Sequence, residues 1–343
     1  MIREWHNNQP ARLRCVDKWQ ETPDTVSLTL TSDTPQPNGF DFKPGQFISL
    51  GFEFDGKVEY RAYSISSLPG ESHLKLTVKR VENGLVSNYI IDHFNSGDSV
   101  LALAPTGPFN SIECPPKHKV ALLSAGCGIT PVMSMAKHWL KTKADVEITF
   151  IHMAKSTAQT IYFDELESMD AQYPNFHLKL LLKDNTGTRH PQGRLDREWL
   201  AKLCPDLNQR TVYLCGPTLF MQDMESNALA LGVEAAQFHQ ESFTPIEAHN
   251  ESSSDGVVQF EVPAFGVSKE ISQGATLADV LEENEVPIII ACRSGMCGSC
   301  KCKVTKGEVS RTSTETLTEE DLANGYTLAC SSQIQSDVEV ELC

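Results

Sequence analysis

Ala291-Cys292-Arg293-Ser294-Gly295-Met296-Cys297-Gly298-Ser299-Cys300 is the most informative stretch of this chain, and Cys330 completes it. The four cysteines read C-x4-C-x2-C, with 29 residues between the third and the fourth. That is the plant-type spacing by which four thiolates hold a 2Fe–2S cluster. A loop carrying three ligands must fold around inorganic sulfide and offer it backbone N–H groups, which favours glycine at the tight positions. Gly295 and Gly298 stand there. A structural zinc would more often bring paired C-x2-C knuckles, and unrelated buried thiols would need no such spacing. Cys292, Cys297, Cys300 and Cys330 are therefore the expected metal ligands. Such a chain is expected to move single electrons.

Working outward, 343 residues allow two or three domains, each with its own core. A hydrophobic content of 40% and a charged content of 22% are ordinary for a globular protein. Apolar runs fall far short of the ~20 residues a membrane span needs, so no membrane insertion is expected. Met1-Ile2-Arg3-Glu4-Trp5-His6-Asn7-Asn8 has no signal-peptide core. A cytoplasmic location is the expectation, and the remaining cysteines (Cys15, Cys114, Cys127, Cys204, Cys215, Cys302 and Cys343) read as free thiols of a reducing compartment. Net charge is −16; residues 257–343 hold six Lys/Arg against fourteen Asp/Glu, a net of −8. That sign excludes a nucleic-acid partner. It suits a surface steered toward a basic patch on a redox partner, although solubility alone would also account for it.

Four segments follow from texture. Residues 1–113 are β-rich: alternating runs at Thr25–Leu30, Phe47–Phe52 and Leu74–Val78 are broken by Pro44-Gly45 and Pro69-Gly70, as in a small antiparallel barrel. Residues 114–244 alternate strand and helix, which implies a parallel sheet with crossover helices. Strands are expected at Val120–Leu123, Val146–His152, His177–Leu182 and Thr211–Cys215. Helices are expected at Val132–Lys141, Tyr162–Met169, Arg197–Cys204 and Leu219–Leu231. Residues 245–256 are polar and serine-rich, a linker. Residues 257–343 form a small α+β unit, with strands near Val257–Val262, Ser268–Ile271 and Asp337–Leu342 and a helix over Leu277–Asn284. The fold class is thus multidomain: barrel, α/β nucleotide domain, α+β cluster domain.

Several motifs point to the source of the electrons. After Val120–Leu123 comes Ser124-Ala125-Gly126-Cys127-Gly128-Ile129-Thr130-Pro131, a strand–glycine turn–helix that sets N–H groups and a positive helix end against a pyrophosphate. The third glycine of G-x-G-x-x-G is absent, and a plain βα turn is the rival reading. Cys215-Gly216-Pro217 ends a later strand, beyond which ligands of open α/β sheets bind. In the barrel, Arg61-Ala62-Tyr63-Ser64-Ile65-Ser66 sets a cation, a ring and a hydroxyl on one strand. Asn83-Gly84-Leu85-Val86-Ser87-Asn88 looks like a helix start whose amides face the same phosphate.

Together these texts resemble the ferredoxin–NADP reductase superfamily, whose R-x-Y-S and G-x-x-S motifs hold the flavin and whose G-x-G-x-T-P and C-G-P motifs hold the nicotinamide nucleotide. The domain order resembles NADH-dependent reductases that feed oxygenases and hybrid-cluster proteins. Gln20-Glu21-Thr22-Pro23-Asp24, Phe243-Thr244-Pro245 and Leu328-Ala329-Cys330 lean toward the hybrid-cluster branch. The resemblance implies a β-grasp-like ferredoxin domain over 257–343. It implies FAD at Arg61, Tyr63, Ser64, Gly84 and Ser87, and NADH at Gly126, Gly128, Thr130, Cys215 and Gly216. Glu241-Ser242-Phe243 falls where the family carries an acidic–x–aromatic segment near the isoalloxazine, or is a plain strand end. Ser64, Cys215 and Glu241 are thereby the expected catalytic residues, with Phe243 beside the cofactor. The implied activity is NADH:acceptor oxidoreduction, NADH to FAD to 2Fe–2S to an acceptor protein. The first expectation for that acceptor is a hybrid-cluster protein that reduces hydroxylamine or nitric oxide. A Rieske-type oxygenase or demethylase is the alternative, and a non-turnover redox sensor is the alternative of another class.

Overall fold

The computed structural model describes residues 10–33, 39–142, 144–243 and 256–342. The expected linker at 245–256 lies outside them except for Gly256. Contacts divide the chain into two compact units, one holding the nucleotide domain and the barrel apart from Phe54–Ala62, the other holding Phe54–Ala62 and the ferredoxin domain.

The first domain is an antiparallel sheet of six strands: β1 (Ala11–Thr22), β2 (Thr25–Ser32), β3 (Phe47–Phe54), β4 (Lys57–Ser64), β5 (Leu74–Lys79) and β6 (Ser99–Ala102), in the order β4-β3-β6-β1-β2-β5. A bridge from Ile65 to Leu76, with Ser66 N donating to Lys75 O at 2.9 Å, joins the two edges beyond the end of β4. The sheet thereby closes, which removes exposed edges. Helix α1 (Leu85–Asp92) follows Gly84 and buries Val86, Ser87 and Ile90.

The second domain is a parallel sheet of β7 (Lys119–Ala125), β8 (Glu147–Ala154), β9 (Phe176–Leu182), β10 (Thr211–Gly216) and β11 (Phe238–Ser242), in the order β11-β10-β7-β8-β9. Its helices are α2 (Ile129–Lys141), α3 (Phe163–Gln172), α4 (Arg197–Leu203) and α5 (Thr218–Ala230). Both faces are covered, so the central strands β7 and β10 are buried along almost their whole length. Val120, Leu122, Ile148 and Phe150 pack with Val132, Met133 and Ala136 of α2. Ala121, Leu123, Val212 and Leu214 pack with Leu200 of α4 and with Phe220 and Met224 of α5. The strand order reverses between β7 and β10, and the crevice at such a reversal is where ligands of open α/β sheets bind.

The ferredoxin domain has β12 (Val257–Val262), β13 (Val267–Ser272), β14 (Lys301–Lys306), β15 (Val309–Arg311), β16 (Tyr326–Leu328), β17 (Ser332–Ile334) and β18 (Val338–Leu342). Five of them form a mixed sheet, β13-β12-β18-β14-β16, and β15 pairs with β17. Helix α6 (Leu277–Glu283) buries Leu277, Ala278, Val280 and Leu281 in a core with Phe260, Cys302 and Val340. The short α7 (Glu319–Ala323) is held by a capping box between Thr318 and Asp321. The multidomain architecture expected from the sequence is the one observed. Among the described residues no helix is long and apolar enough to cross a membrane.

Candidate functional site

The cluster loop lies between α6 and β14. Its four thiols form a chain of neighbours: Cys297 beside Cys292, Cys292 beside Cys330, and Cys330 Sγ 3.4 Å from Cys300 Sγ. Among the described residues no three His, Cys, Asp or Glu side chains surround a single metal-ion position. A chain of four thiols suits a larger group instead. Backbone N–H groups already aim at the sulfurs: Ser294 N and Met296 N at 3.4 Å from Cys292 Sγ, and Gly295 N at 3.3 Å from Cys330 Sγ. Hydrogen bonds from neighbouring thiols, Cys297 first, hold Cys292 below the ordinary cysteine value, and Cys330 does the same for Cys300. Cys297 and Cys330 are driven up in turn. Four thiolates this close need a cationic group among them, and the donor set fits a 2Fe–2S cluster.

The loop's glycines are fixed by packing as well as by dihedral. Gly295 has φ +69, and a Cβ there would lie 2.6 Å from the Ser313 Cβ. Ser313 Oγ also donates to Gly295 O at 2.8 Å. Gly298 has φ +75 and abuts Thr316. Arg293, left-handed at φ 52, pairs with Asp279 at 3.0 Å and with Glu282, which moors the loop on α6. Ser313 and Thr316 were not legible in the sequence because neither belongs to the cysteine spacing, and Arg293 stood in the quoted stretch without a role. Cys302 is buried within β14, in the core.

In the nucleotide domain, Gly126 and Gly128 separate in function. Gly126 is left-handed at φ +55 with open space where a Cβ would stand. A Cβ on Gly128, by contrast, would lie 2.1 Å from the Cys215 carbonyl oxygen. Gly128 thus permits β10 to approach the turn, and Gly126 alone faces space. Gly216 is likewise packed, 2.7 Å from the Phe220 ring at its would-be Cβ. Thr130, buried at the second position of α2, donates to Cys127 O at 2.9 Å. The half-buried Cys127 is pushed up to about 12 by burial, and it sits against the Lys79 backbone of the barrel.

Register places Ser124, Cys215 and Glu241 side by side on β7, β10 and β11, at the carboxyl end of the sheet. His152 continues the row on β8. Cys215 is fully buried; burial, then the Glu241 carboxylate, then Cys127 raise its thiol well above the ordinary value. Glu241 is buried, with Oε1 3.8 Å from where a Cβ on barrel residue Gly107 would stand. Ser124 Oγ lies 2.8 Å from His152 Nδ1, and burial presses His152 down to about 4. Neither Ser124 nor His152 was singled out from sequence; the available signal was a polar residue inside each apolar strand.

On the barrel, Ser64 is buried and its Oγ has no hydrogen-bond partner among the described residues. Tyr63 and Arg61 are half-buried on the same strand, and Arg61 Nη1 donates to Tyr60 O at 2.6 Å and to Glu59 at 3.2 Å. Gly84 occupies the cap position of α1 without a side-chain cap bond, and Ser87 Oγ accepts from Val81 N at 3.3 Å. The orphaned Ser64 hydroxyl and the free cap fit a flavin bearing a pyrophosphate. Phe243 is about half exposed, one residue past β11.

Residues 12–111 match the oxidoreductase FAD-binding domain, 122–226 the oxidoreductase NAD-binding domain, and 263–335 the 2Fe-2S iron-sulfur cluster binding domain. The chain belongs to the ferredoxin–NADP reductase superfamily, among the electron-transfer oxidoreductases that carry FAD, NAD and C-terminal 2Fe–2S domains. It is 36% identical to the glycine betaine monooxygenase reductase subunit of Pseudomonas aeruginosa, an alignment covering 98% of this chain and 96% of that one. NADH oxidoreductase HCR of Escherichia coli is 34% identical, with 97% and 98% covered. Among solved structures, phthalate dioxygenase reductase shares the fold at a TM-score of 0.65 and 22% identity, covering 97% of this chain and 98% of that one.

Proposed function

We propose that the chain takes hydride from NADH and hands single electrons to a separate acceptor protein, through residues in the following roles. Arg61, Tyr63, Ser64, Gly84 and Ser87 hold FAD, the Ser64 hydroxyl being available for a bond at the flavin ring. Gly126 and the first turn of α2, with Thr130, meet the NADH pyrophosphate, while Gly128 and Gly216 keep the crevice narrow. Cys215 and Glu241, with Ser64, line the place where the nicotinamide meets the flavin; burial keeps Cys215 a neutral thiol that shields the site from water. Phe243 borders the flavin edge. Cys292, Cys297, Cys300 and Cys330 bind the cluster. When bound, FAD converts a two-electron hydride into single electrons, and the 2Fe–2S group carries them one at a time.

The observation that carries this reading is the presence in one polypeptide of the buried row Ser124–Cys215–Glu241 and a four-thiol cradle. For the acceptor we favour the terminal component of an oxygenase. Its support is the near full-length likeness to the monooxygenase reductase subunit. The hybrid-cluster protein is the second reading, favoured by Leu328-Ala329-Cys330 and the texts grouped with it. A cytoplasmic location accords with cysteines that form no disulfide among the described residues. The test is NADH oxidation coupled to each purified acceptor in turn: turnover with a Rieske-type oxygenase but not with a hybrid-cluster protein supports the first choice, and the reverse result overturns it.

A further inference from the structure

We infer that Tyr162 is a positioning residue: it ties the nucleotide domain to the segment following the flavin-type strand, and so sets how NADH meets the flavin. The inference rests on the flavin and NADH roles proposed above.

Tyr162 immediately precedes α3 and is left-handed, at φ 61 and ψ 30. A bulky side chain holds that conformation only where its surroundings determine it. Here they do. The ring is buried, and its hydroxyl donates to Ser66 Oγ at 3.0 Å. Ser66 Oγ in turn donates to Lys75 O at 3.0 Å. The same phenol bonds Thr77 of β5, whose hydroxyl lies 2.6 Å from Ser27 of β2. Above the ring, Lys75 Nζ sits 4.1 Å from the centroid and 3.6 Å from the carboxylates of Glu21 and Glu165. A cleft of about 560 Å³ lies alongside, with Trp19, Lys75 and Tyr162 in its wall.

Helix α2, which opens at the Gly126 turn, grips the same segment. Ser134 Oγ donates to Ser67 O at 3.0 Å, and Lys137 Nζ to Ser66 O at 3.3 Å. Lys137 also lies 2.5 Å from Glu165 of α3. Side chains from α2 and from the start of α3 thus converge on Ser66–Ser67, two and three residues past Ser64. By the roles proposed above, the junction joins the helix that opens at the pyrophosphate-type turn to the segment that follows Ser64. A shift there moves one ring against the other, and hydride transfer is steep in that separation. Burial of the ring alone would be satisfied by phenylalanine, so the hydroxyl is what the inference turns on.

The experiment uses the FAD-loaded full chain with Tyr162→Phe, which keeps the ring and removes the hydroxyl. Flavin bleaching is followed by stopped flow over a range of NADH, together with the long-wavelength charge-transfer absorbance of nicotinamide stacked on oxidised flavin. The saturating rate is expected to fall about 10- to 100-fold and the band to weaken. FAD content and half-saturating NADH should stay within about twofold of wild type, the signature of lost alignment rather than lost binding. An unchanged rate and band overturn the inference, as does a parallel loss of FAD. Should Tyr162→Phe not fold, Ser66→Ala removes the partner hydroxyl and leaves the carbonyl that Lys137 uses; an unchanged rate in that variant overturns it equally. If NADH does not bleach the flavin of the wild-type chain, the reading of the site fails first and the inference with it.

Discussion

The cluster loop and the nucleotide crevice both depend on glycine and cysteine, and they use them in opposite ways. In the loop, the proposed ligands Cys292, Cys297 and Cys300 lie within nine residues, and the left-handed Gly295 turns its own N–H toward the Cys330 sulfur. In the crevice, Cys215 is a buried thiol held away from ionisation, and Gly128 serves to let one strand end touch another turn. Ligand loops are written locally, whereas the crevice is assembled by register across strands remote in sequence. Changes in the loop should therefore act on one group alone, and changes in the crevice should spread through packing.

The largest effect is expected at the ligands. Cys330→Ser or Cys300→Ser should abolish the cluster's visible absorbance while NADH–ferricyanide activity survives; Cys302→Ser, within the β14 core, should retain it. Absorbance spectra with iron analysis decide, and loss in Cys302→Ser with retention in Cys330→Ser would reverse the ligand assignment.

Next come the two crevice glycines. Gly128→Ala drives a Cβ into the Cys215 backbone, where overpacking costs about 1–3 kcal/mol or more, and the nucleotide domain should unfold earlier in denaturant. Gly126→Ala meets no atom within 4 Å and carries only left-handed strain of about 1–2 kcal/mol. It should therefore cost the fold less than Gly128→Ala does and weaken NADH binding as well. Equal unfolding midpoints for the two variants would erase the distinction between them.

A smaller effect concerns acid. Burial holds His152 near 4, below its ordinary 6.5, so below pH 6.5 the unfolded chain takes up a proton the folded chain refuses. Its contribution is complete above pH 6.5, is lost as pH falls toward 4, and amounts to about 3 kcal/mol. Denaturant unfolding at pH 7 and pH 4.5 should show His152→Asn gaining on wild type at the lower pH. A constant gap would show that burial does not hold the imidazole neutral.

The smallest effect is salt. Transfer to the acceptor should slow between 0.1 and 1 M salt, as the screening length falls from ~10 Å to ~3 Å, while flavin bleaching by NADH stays nearly constant. A flat response in both phases would leave the net −8 of residues 257–343 to solubility.

Much of the fold was legible because periodicity survives in it: β12 spans Val257–Val262 as expected, and α4 begins at Arg197. β1 was not legible, since register shifts at Cys15/Asp17 and Gln20/Thr22 break the alternation of Ala11–Thr22. Helix α2 starts at Ile129 rather than Val132, because Gly128 is already helical and Pro131 is accepted within the first turn. Tyr162, expected inside a helix, caps it instead in a left-handed conformation. The thiols were readable from spacing alone. The Ser124–His152 pair and the Tyr162 junction were not, because they depend on which strands become neighbours.

By the roles proposed above, one chain receives a hydride at the crevice and releases single electrons at the thiol loop. An anaerobic titration of the holoprotein with NADH tests it most directly, with the flavin followed by absorbance and the cluster by electron paramagnetic resonance. NADH should reduce both groups in the wild type, and Cys330→Ser should retain flavin reduction while losing the cluster signal. A wild-type cluster that stays oxidised while the flavin is fully reduced would contradict it.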